Sequence, residues 1–246
     1  MSIFQTGLLY ELTFTEYWQI YATQIAFVVL AITVSYLLGS INSAIIVSKL
    51  LYKDDIRKYG SGNAGMTNML RTYGKGAAGL TLLGDVLKTA IAIVFTAFLF
   101  GFRYNHGISL NEGYCYMAGL FAVLGHVFPI YYGFRGGKGV LVTAAMALIL
   151  TPIPFLILIT LFIVIVAISK YVSLGSVTVA ILFPVVVNSY VKLMFGTTPH
   201  LILNLCLIIL AVFIVWCHRE NLKRISNRTE RKISIGGKKK KEENEE

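Results

Sequence analysis

A glycine-rich segment with a lysine near its end, residues 133–139, is the first candidate for chemistry in this sequence. It reads Gly-Phe-Arg-Gly-Gly-Lys-Gly and lies between two apolar segments. Glycines let backbone N–H groups approach an anion closely, and Lys138 adds a point charge. A helix that starts directly afterwards would point its positive end at the same place. Gly136, Gly137, Lys138 and Gly139 therefore form either a phosphate-binding turn or a tight turn whose basic residues keep it on the cytoplasmic side.

A second glycine-rich segment holds more polar groups than a plain turn needs. Gly60, Ser61, Gly62 and Asn63 follow one another and can form a concavity for a phosphate. On a short helix after them, Arg71 would lie about two turns along, where its guanidinium can bind an anion through two N–H groups. The same composition is ordinary in loops, but its combination with arginine favours a binding site.

Two further polar groups lie next to the ends of apolar segments. His218 and Asn221 are three residues apart, so they share one face if the last apolar helix continues through them. Ser173 and Ser176 flank the start of another apolar segment, where either could cap the helix. One of these serines could also donate to a ligand.

Charged residues inside an apolar segment are costly and usually paired. Asp85 and Lys88 lie three residues apart within such a segment and can pair with each other. Alternatively, Asp85 could hold Arg71 or Lys138 in place. Both possibilities predict a supporting role for Asp85 more readily than direct catalysis.

Other polar residues in the apolar segments have mainly structural interpretations. His126 lies alone in its apolar segment and is more typical of a buried hydrogen-bonding residue than of a catalyst. Small residues near the end of the first segment suit close helix packing. Within that group, Ser40, Asn42 and Ser43 could instead line a polar pocket.

The composition of the whole chain predicts an all-α integral membrane protein. Of 246 residues, 56% are hydrophobic and 14% are charged, and the mean hydropathy is +0.71, whereas soluble domains carry about 25% charged residues. Apolar runs near the length of a membrane span predict seven transmembrane helices, at residues 25–51, 76–102, 113–134, 139–150, 153–169, 174–195 and 201–217. The fourth run is short.

The distribution of basic residues predicts the orientation. The net charge is +10, and with seven spans and the N-terminus outside, most lysines and arginines fall on the inner side, as membrane insertion favours. All four polar segments then emerge at the cytoplasmic face, which suits one water-soluble anion and one lipid-like reactant. We expect residues 1–20 to form a short interfacial segment, residues 21–225 the membrane domain, and residues 226–246 a charged, disordered cytoplasmic tail.

Several functional classes fit the sequence poorly. The segment at Lys138 is not a nucleotide-binding P-loop, because Gly139 follows the lysine where that motif requires serine or threonine. A transporter would carry polar groups near the middle of the membrane, where only Asp85 and Lys88 lie; it remains the competing class. The three cysteines show no metal-binding spacing, so we expect no metal. We also expect no cofactor and no nucleic-acid partner.

Three motifs resemble those of a known family, the bacterial acyl-phosphate:glycerol-3-phosphate acyltransferases. They are Gly-Ser-Gly-Asn-Ala-Gly-Met-Thr-Asn from residue 60 with Arg71, Gly-His-Val-Phe-Pro from residue 125 with Phe-Arg-Gly-Gly-Lys-Gly from residue 134, and His-Arg-Glu-Asn from residue 218. Their order, spacing and common inner side match over about residues 25–225. Met66 replaces a usual alanine and Arg135 a common lysine.

The resemblance implies seven transmembrane helices and an active site facing the cytoplasm, in the plasma membrane of a bacterium. It implies transfer of a fatty acyl group from acyl-phosphate to the 1-hydroxyl of glycerol-3-phosphate, giving lysophosphatidic acid and inorganic phosphate, the first acylation in phospholipid synthesis. The implied partners are these two small molecules and the lipid bilayer.

The resemblance also implies roles for individual residues. It places five residues at the reacting groups and the substrate phosphate: Ser61, Arg71, Lys138, His218 and Asn221. It gives a substrate-binding role to Gly60, Gly62, Asn63, Gly136, Gly137, Gly139 and Ser173, while Asp85 and His126 keep the supporting role that the residues themselves favour. The base that accepts the hydroxyl proton is either His218 or a phosphate oxygen of a substrate.

Overall fold

The computed structural model describes residues 7–12, 16–101 and 110–233, and this part of the chain contains helices and connecting segments but no strand. The helices are α1 (Leu8–Glu11), α2 (Tyr17–Ser40), α3 (Ser43–Tyr52), α4 (Met66–Tyr73), α5 (Lys75–Phe100), α6 (Leu110–Val127), α7 (Val140–Leu150), α8 (Pro152–Ser169), α9 (Val172–Phe195), α10 (Leu201–Cys217) and α11 (Arg219–Ser226). Short 3₁₀ turns occupy Ile56–Lys58 and Ile130–Tyr132. The all-α prediction is confirmed.

The described helices include five spans long and apolar enough to cross a membrane, or six if the pair α10 and α11, bent by 53°, counts as one. One of the five combines α2 and α3 over 36 residues. α7 coincides with the short fourth predicted run and has only 11 residues, fewer than the ~20 that a full crossing needs. A helix is present in each of the seven predicted runs, while seven crossings and the orientation of the termini remain predictions.

The helix α5 shows why the bundle suits a membrane. Its outward positions are apolar and exposed, at Leu80, Leu83, Leu87, Ile91 and Val94. As far as Ala92 its buried positions are all small or polar, at Ala77, Ala78, Thr81, Asp85, Lys88, Thr89 and Ala92. This pattern is the reverse of a soluble amphipathic helix, and hydrocarbon around the bundle accounts for it.

The helix α6 lies at the centre and brings the other helices to the site. Gly39 of α2 packs directly on it, since a Cβ there would lie 2.2 Å from the Ala122 carbonyl oxygen. On another side, Gly119 faces the side chain of Met146 in α7. The close packing predicted for the small residues of the first segment is therefore present at Gly39.

The long first helix is interrupted between α2 and α3, close to the candidate site. Asn42 begins α3 and accepts a hydrogen bond from the Ile45 N–H at 3.1 Å, and its side-chain N–H₂ donates to the Ala64 carbonyl at 3.3 Å. Asn42 is fully buried. A polar contact therefore joins the start of α3 to the loop of residues 53–65 that follows it.

The predictions for the two ends of the chain fall partly outside the described residues. Residues 1–6 and 13–15 of the predicted interfacial segment and residues 234–246 of the predicted disordered tail lie outside them. Residues 227–233 are described, and the Ile233 N–H donates to the Lys170 carbonyl at 2.9 Å. The first part of the predicted tail thus folds back against the helix bundle.

Candidate active site

A cavity of about 570 Å³ collects all four polar segments that the sequence indicated. Its lining includes most of the residues predicted for the site: Gly60, Ser61, Asn63, Arg71, Asp85, His126, Lys138, Gly139, Ser173, His218 and Asn221. Gly62, Gly136 and Gly137 do not line it. The convergence inferred from the topology is therefore present in the structure.

The first loop, residues 53–65, is shaped by a side chain that sequence reasoning did not single out. Asn68 is 2% exposed, and its carbonyl oxygen accepts from the Ser61 N–H at 3.1 Å. Its N–H₂ donates to the carbonyls of Ile56, Tyr59 and Asn63 at 3.0–3.3 Å. The available signal was an asparagine just inside a helix start, where an amide tends to bond backbone groups.

Gly60 is the position where this loop requires glycine. Its φ is +60°, and a Cβ there would lie 2.2 Å from the Asn68 carbonyl oxygen. A larger residue would therefore displace the amide that orients Ser61. Arg71 lines the same cavity from α4 and donates to the Arg231 carbonyl at 3.3 Å.

The glycine loop, residues 133–139, folds back on the end of α6. The N–H groups of Gly136 and Gly137 donate to the carbonyls of Val127 and His126, both at 3.1 Å. A Cβ on Gly136 would lie 2.0 Å from the His126 carbonyl oxygen. These glycines therefore permit close backbone packing, and their N–H groups are already occupied.

The donors that remain near the glycine loop belong to Lys138 and to the start of α7. The N–H groups of Val140, Leu141 and Val142 donate to no described residue, as is usual for the first turn of a helix. Val140 and Leu141 also line the cavity. Arg57 fixes the loop from outside by donating to the carbonyls of Tyr132 at 2.8 Å and Arg135 at 3.1 Å.

Lys138 extends from this loop to a polar cluster at the junction of α10 and α11. Its ammonium contacts the side-chain oxygen of Asn221. Burial lowers the pKa of Lys138 to about 8, while the nearby Glu230 opposes that shift. Part of its positive charge is therefore lost at mildly alkaline pH.

Glu230 is a second residue of the cavity that sequence reasoning missed. Its carboxylate accepts from Ser173 Oγ and Asn221 Nδ2, each at 2.7 Å, and from Arg224 Nε at 2.8 Å. Burial acts to raise the pKa of Glu230, but these three hydrogen bonds outweigh it and lower the pKa. Glu230 lay within the predicted tail, and nothing in its local sequence indicated a packed position.

His218 is buried where α10 turns into α11. It is 3% exposed, and its Nδ1 lies 2.8 Å from the Ile214 carbonyl oxygen. Because a carbonyl only accepts, Nδ1 carries a proton, which in the neutral ring leaves Nε2 as an acceptor. The side chain therefore has the tautomer that a general base requires.

The end of the cavity that holds Arg71, Lys138 and Arg224, its mouth, is polar. Below this mouth the cavity is apolar. On α9 the lining changes from Ser173 and Ser176 to Val179, Ala180 and Phe183. The side of α7 that faces it reaches Ala147, eight residues beyond Gly139 and so about 12 Å deeper. The remaining apolar lining residues include Leu141, Ala144, Phe155, Leu158, Ile159 and Phe162.

A buried ion pair lies beneath the mouth. Lys88 Nζ is 2.8 Å from Asp85 Oδ1, and the two side chains are 4% and 1% exposed. Ser43 Oγ also donates to Asp85 Oδ1, at 2.9 Å. The predicted Asp85–Lys88 pair is confirmed as a contact, whereas Asp85 makes no hydrogen bond or ion pair with Arg71 or Lys138 in the described part of the chain.

No three His, Cys, Asp or Glu side chains in the described parts of the chain are grouped as metal ligands would be. The cationic side chains that line the cavity are Arg71, Lys138, Arg224 and Arg231, and such groups can bind an anion directly. Together with the apolar lower part, they suit an amphiphilic ligand with a phosphate at one end.

A sequence profile of the family described as glycerol-3-phosphate acyltransferase matches residues 29–228. This chain belongs to the glycerol-3-phosphate acyltransferase family. One relative is the glycerol-3-phosphate acyltransferase of Chlorobaculum tepidum, which is 39% identical over 227 residues, an alignment that covers 84% of this chain and 97% of the relative. Another is the glycerol-3-phosphate acyltransferase of Coxiella burnetii strain Dugway 5J108-111, which is 39% identical over 210 residues, an alignment that covers 84% of this chain and 98% of the relative.

Solved structures of the same family share the fold. The crystal structure of PlsY, an integral membrane glycerol 3-phosphate acyltransferase, in its glycerol 3-phosphate form has a TM-score of 0.71 at 28% identity, and covers 84% of this chain and 96% of that one. Its lysophosphatidic acid form has a TM-score of 0.69 at 28% identity, with 84% and 95% covered. The resemblance seen in the three motifs is therefore confirmed at the level of the family.

Proposed function

We propose that this protein transfers a fatty acyl group from an acyl-phosphate to the 1-hydroxyl of glycerol-3-phosphate, forming lysophosphatidic acid and inorganic phosphate. The observation that carries the proposal is the single cavity that joins a cationic mouth to an apolar lower part. The two PlsY structures, in glycerol 3-phosphate and lysophosphatidic acid forms, support the acceptor and the product. The assignment of acyl-phosphate as the donor rests on the match of the three motifs to those of the family.

In this proposal the mouth binds the phosphate groups of both reactants. Ser61, Arg71 and Lys138 hold glycerol-3-phosphate, with Ser173 completing the pocket, and the free N–H groups at the start of α7 face the same anions. Gly60, Gly62, Asn63, Gly136, Gly137 and Gly139 shape the two loops. The acyl chain extends into the apolar part of the cavity.

Acyl transfer in this site needs positioning more than a protein nucleophile. An acyl-phosphate is an activated anhydride, so the glycerol hydroxyl oxygen can attack the carbonyl carbon directly. The bond from that carbon to the phosphate oxygen breaks, and phosphate leaves with the electron pair, neutralised by Lys138 and Arg71. Nε2 of His218 takes the hydroxyl proton, with Asn221 beside it, unless a substrate phosphate oxygen does so.

The remaining parts of the proposal concern topology. We infer that the chain crosses the plasma membrane of a bacterium seven times, with α7 as a short crossing, the N-terminus outside and the cavity mouth facing the cytoplasm. Excess lysine and arginine beside the mouth supports this orientation. Cysteine accessibility to a membrane-impermeant thiol reagent, introduced at residues 58 and 192, tests it, since the two should label from opposite sides.

The donor is tested by comparing acyl-phosphate, acyl-coenzyme A and acyl carrier protein with the same acyl chain. Purified protein with glycerol-3-phosphate should form lysophosphatidic acid from acyl-phosphate and not from the other two. A donor preference for either thioester would contradict the proposal. Trapping of a covalently acylated protein during turnover would contradict the direct transfer.

The pKa of Lys138 predicts that binding of the acceptor, glycerol-3-phosphate, depends on pH. Its cation is present below pH 8 and is lost as pH rises through that value. The KM for glycerol-3-phosphate should therefore rise above pH 8, by roughly tenfold per pH unit at the limit. Lys138→Arg, which stays charged, should remove the rise, and an equal rise in that variant would contradict the assignment.

The depth of the apolar part predicts a dependence on acyl chain length. Ala147→Leu places extra volume near the floor, so activity with long-chain acyl-phosphates should fall several-fold relative to short-chain donors, measured as kcat/KM. Ala167→Leu, on the exposed face of α8, is the matched control. Equal loss for all chain lengths would mean that the acyl chain does not reach Ala147.

A further inference from the structure

We propose that His126 contacts the substrate phosphate directly through its Nε2–H, and that Lys88 and Asp85 are positioning residues that fix the proton on that nitrogen. The sequence favoured a supporting role for His126. The inference rests on the proposed function, because it concerns the same anion.

The contacts of Lys88 assign the tautomer of His126. Lys88 Nζ lies 2.8 Å from Asp85 Oδ1, 3.1 Å from the Gly39 carbonyl, 3.0 Å from the Ile41 carbonyl and 2.9 Å from His126 Nδ1. An ammonium group donates only. Its three N–H bonds serve four neighbours, so one hydrogen is shared, and at the 2.9 Å contact the lysine is the donor and His126 Nδ1 the acceptor. The neutral ring then carries its proton on Nε2.

The charges of the buried pair are consistent with this assignment. Asp85 Oδ1 accepts from both Lys88 and Ser43, as a carboxylate beside an ammonium group does. His126 Nδ1 is 3.6 Å from the same oxygen, beyond a good hydrogen bond. The aspartate thus keeps the lysine charged, and the lysine keeps Nδ1 of the histidine unprotonated.

The Nε2–H group points at the glycine loop. A Cβ on Gly137 would lie 2.0 Å from Nε2, and Gly137 directly precedes Lys138. His126 is 3% exposed, lines the cavity, and donates from Nε2 to no described residue. Nε2 is not one of the fully enclosed polar atoms that lack a partner, and an anion held by Lys138 in the cavity that His126 lines could accept its hydrogen bond.

Two substitutions of His126 separate this proposal from a purely structural role. In His126→Gln the amide nitrogen reaches the position of Nε2, while Lys88 keeps Asp85, Gly39 and Ile41 as acceptors. In His126→Asn the amide reaches only the position of Nδ1. Each variant of this matched pair therefore keeps one of the two hydrogen-bonding positions of the histidine ring.

The experiment is calorimetric titration of glycerol-3-phosphate and of inorganic phosphate into the purified full chain, without an acyl donor. His126→Gln should bind both within about threefold of the wild type, and His126→Asn should bind both at least about tenfold more weakly, because a hydrogen bond to a charged group is lost. Equal binding by both variants, or weaker binding by the Gln variant alone, would overturn the proposal. Because no acyl transfer is measured, failure of the proposed donor would leave this result unaffected.

A measurement without substitutions covers the case in which a variant does not fold. The chain has 4 histidines, so ¹⁵N spectra of histidine-labelled protein can be assigned. The ligand-free protein should show His126 with Nδ1 unprotonated, and inorganic phosphate should shift its Nε2 resonance. A protonated Nδ1, or an unchanged resonance at saturating phosphate, would overturn the assignment.

Discussion

Lys138→Ala should lower kcat/KM for glycerol-3-phosphate by about a hundred- to a thousandfold, the usual cost of removing a donor that stabilises developing charge. Lys138 is buried, lines the cavity and contacts Asn221, so water cannot fully replace its ammonium group. Steady-state assays at pH 7, with both substrates varied, measure the loss. Its pKa of about 8 ensures that the wild-type lysine is mostly charged there.

Two further variants define what that loss means. Lys192→Ala removes a lysine from the far end of α9, outside the cavity lining, and should leave kcat/KM unchanged. Lys138→Arg keeps the charge with a different geometry, and its kcat/KM should lie between the values of Lys138→Ala and Lys192→Ala. If Lys138→Ala retained more than a tenth of wild-type activity, Lys138 would have no direct role in the reaction.

Replacing Asp85 alone should destabilise the protein more than any other single change considered. Asp85→Leu leaves Lys88 charged and buried, which costs about 3–5 kcal/mol of unfolding free energy. Thermal or denaturant unfolding in a fixed detergent measures it. The cost arises because Lys88 and Asp85 are almost completely enclosed.

The double variant Asp85→Leu with Lys88→Met should recover most of that stability, because a buried ion pair replaced by apolar side chains is often neutral. It should not recover activity, since the proton on His126 is then no longer fixed. Equal stability of Asp85→Leu and the wild type would contradict the ion pair. Full activity of the double variant would contradict the positioning role.

The sequence predicted the parts of the site that depend on residue type and topology. Ser61, Arg71, Lys138, His218 and Asn221 are polar residues beside apolar segments, and a consistent orientation places them at one membrane face. Their meeting in one cavity followed from that placement. The all-helical fold likewise followed from apolar runs of sufficient length.

The parts that the sequence did not predict depend on folding of the loops. Asn68 organises the first loop through one backbone N–H and three backbone carbonyls that lie five to twelve residues away, and no local pattern specifies such contacts. Glu230 lies in a charged segment whose composition is typical of disorder. The occupied N–H groups of Gly136 and Gly137 result from the loop turning back on α6, which periodicity cannot show.

The short length of α7 followed from the sequence, because the fourth apolar run covers only residues 139–150. Its 11 residues are apolar like the other spans but end early at Thr151, whose side-chain hydroxyl accepts a hydrogen bond from Tyr116 at 2.9 Å. The start of this helix lies at the glycine loop. Gly139, Val140 and Leu141 at this start line the cavity.

The most direct test of the central claim is the stoichiometry of phosphate release from a long-chain acyl-phosphate by the purified protein. The account predicts that phosphate appears only when glycerol-3-phosphate is present, with one lysophosphatidic acid formed for each phosphate released. Phosphate release at the same rate without glycerol-3-phosphate, or no release with it, would contradict the claim that this cavity joins the two reactants.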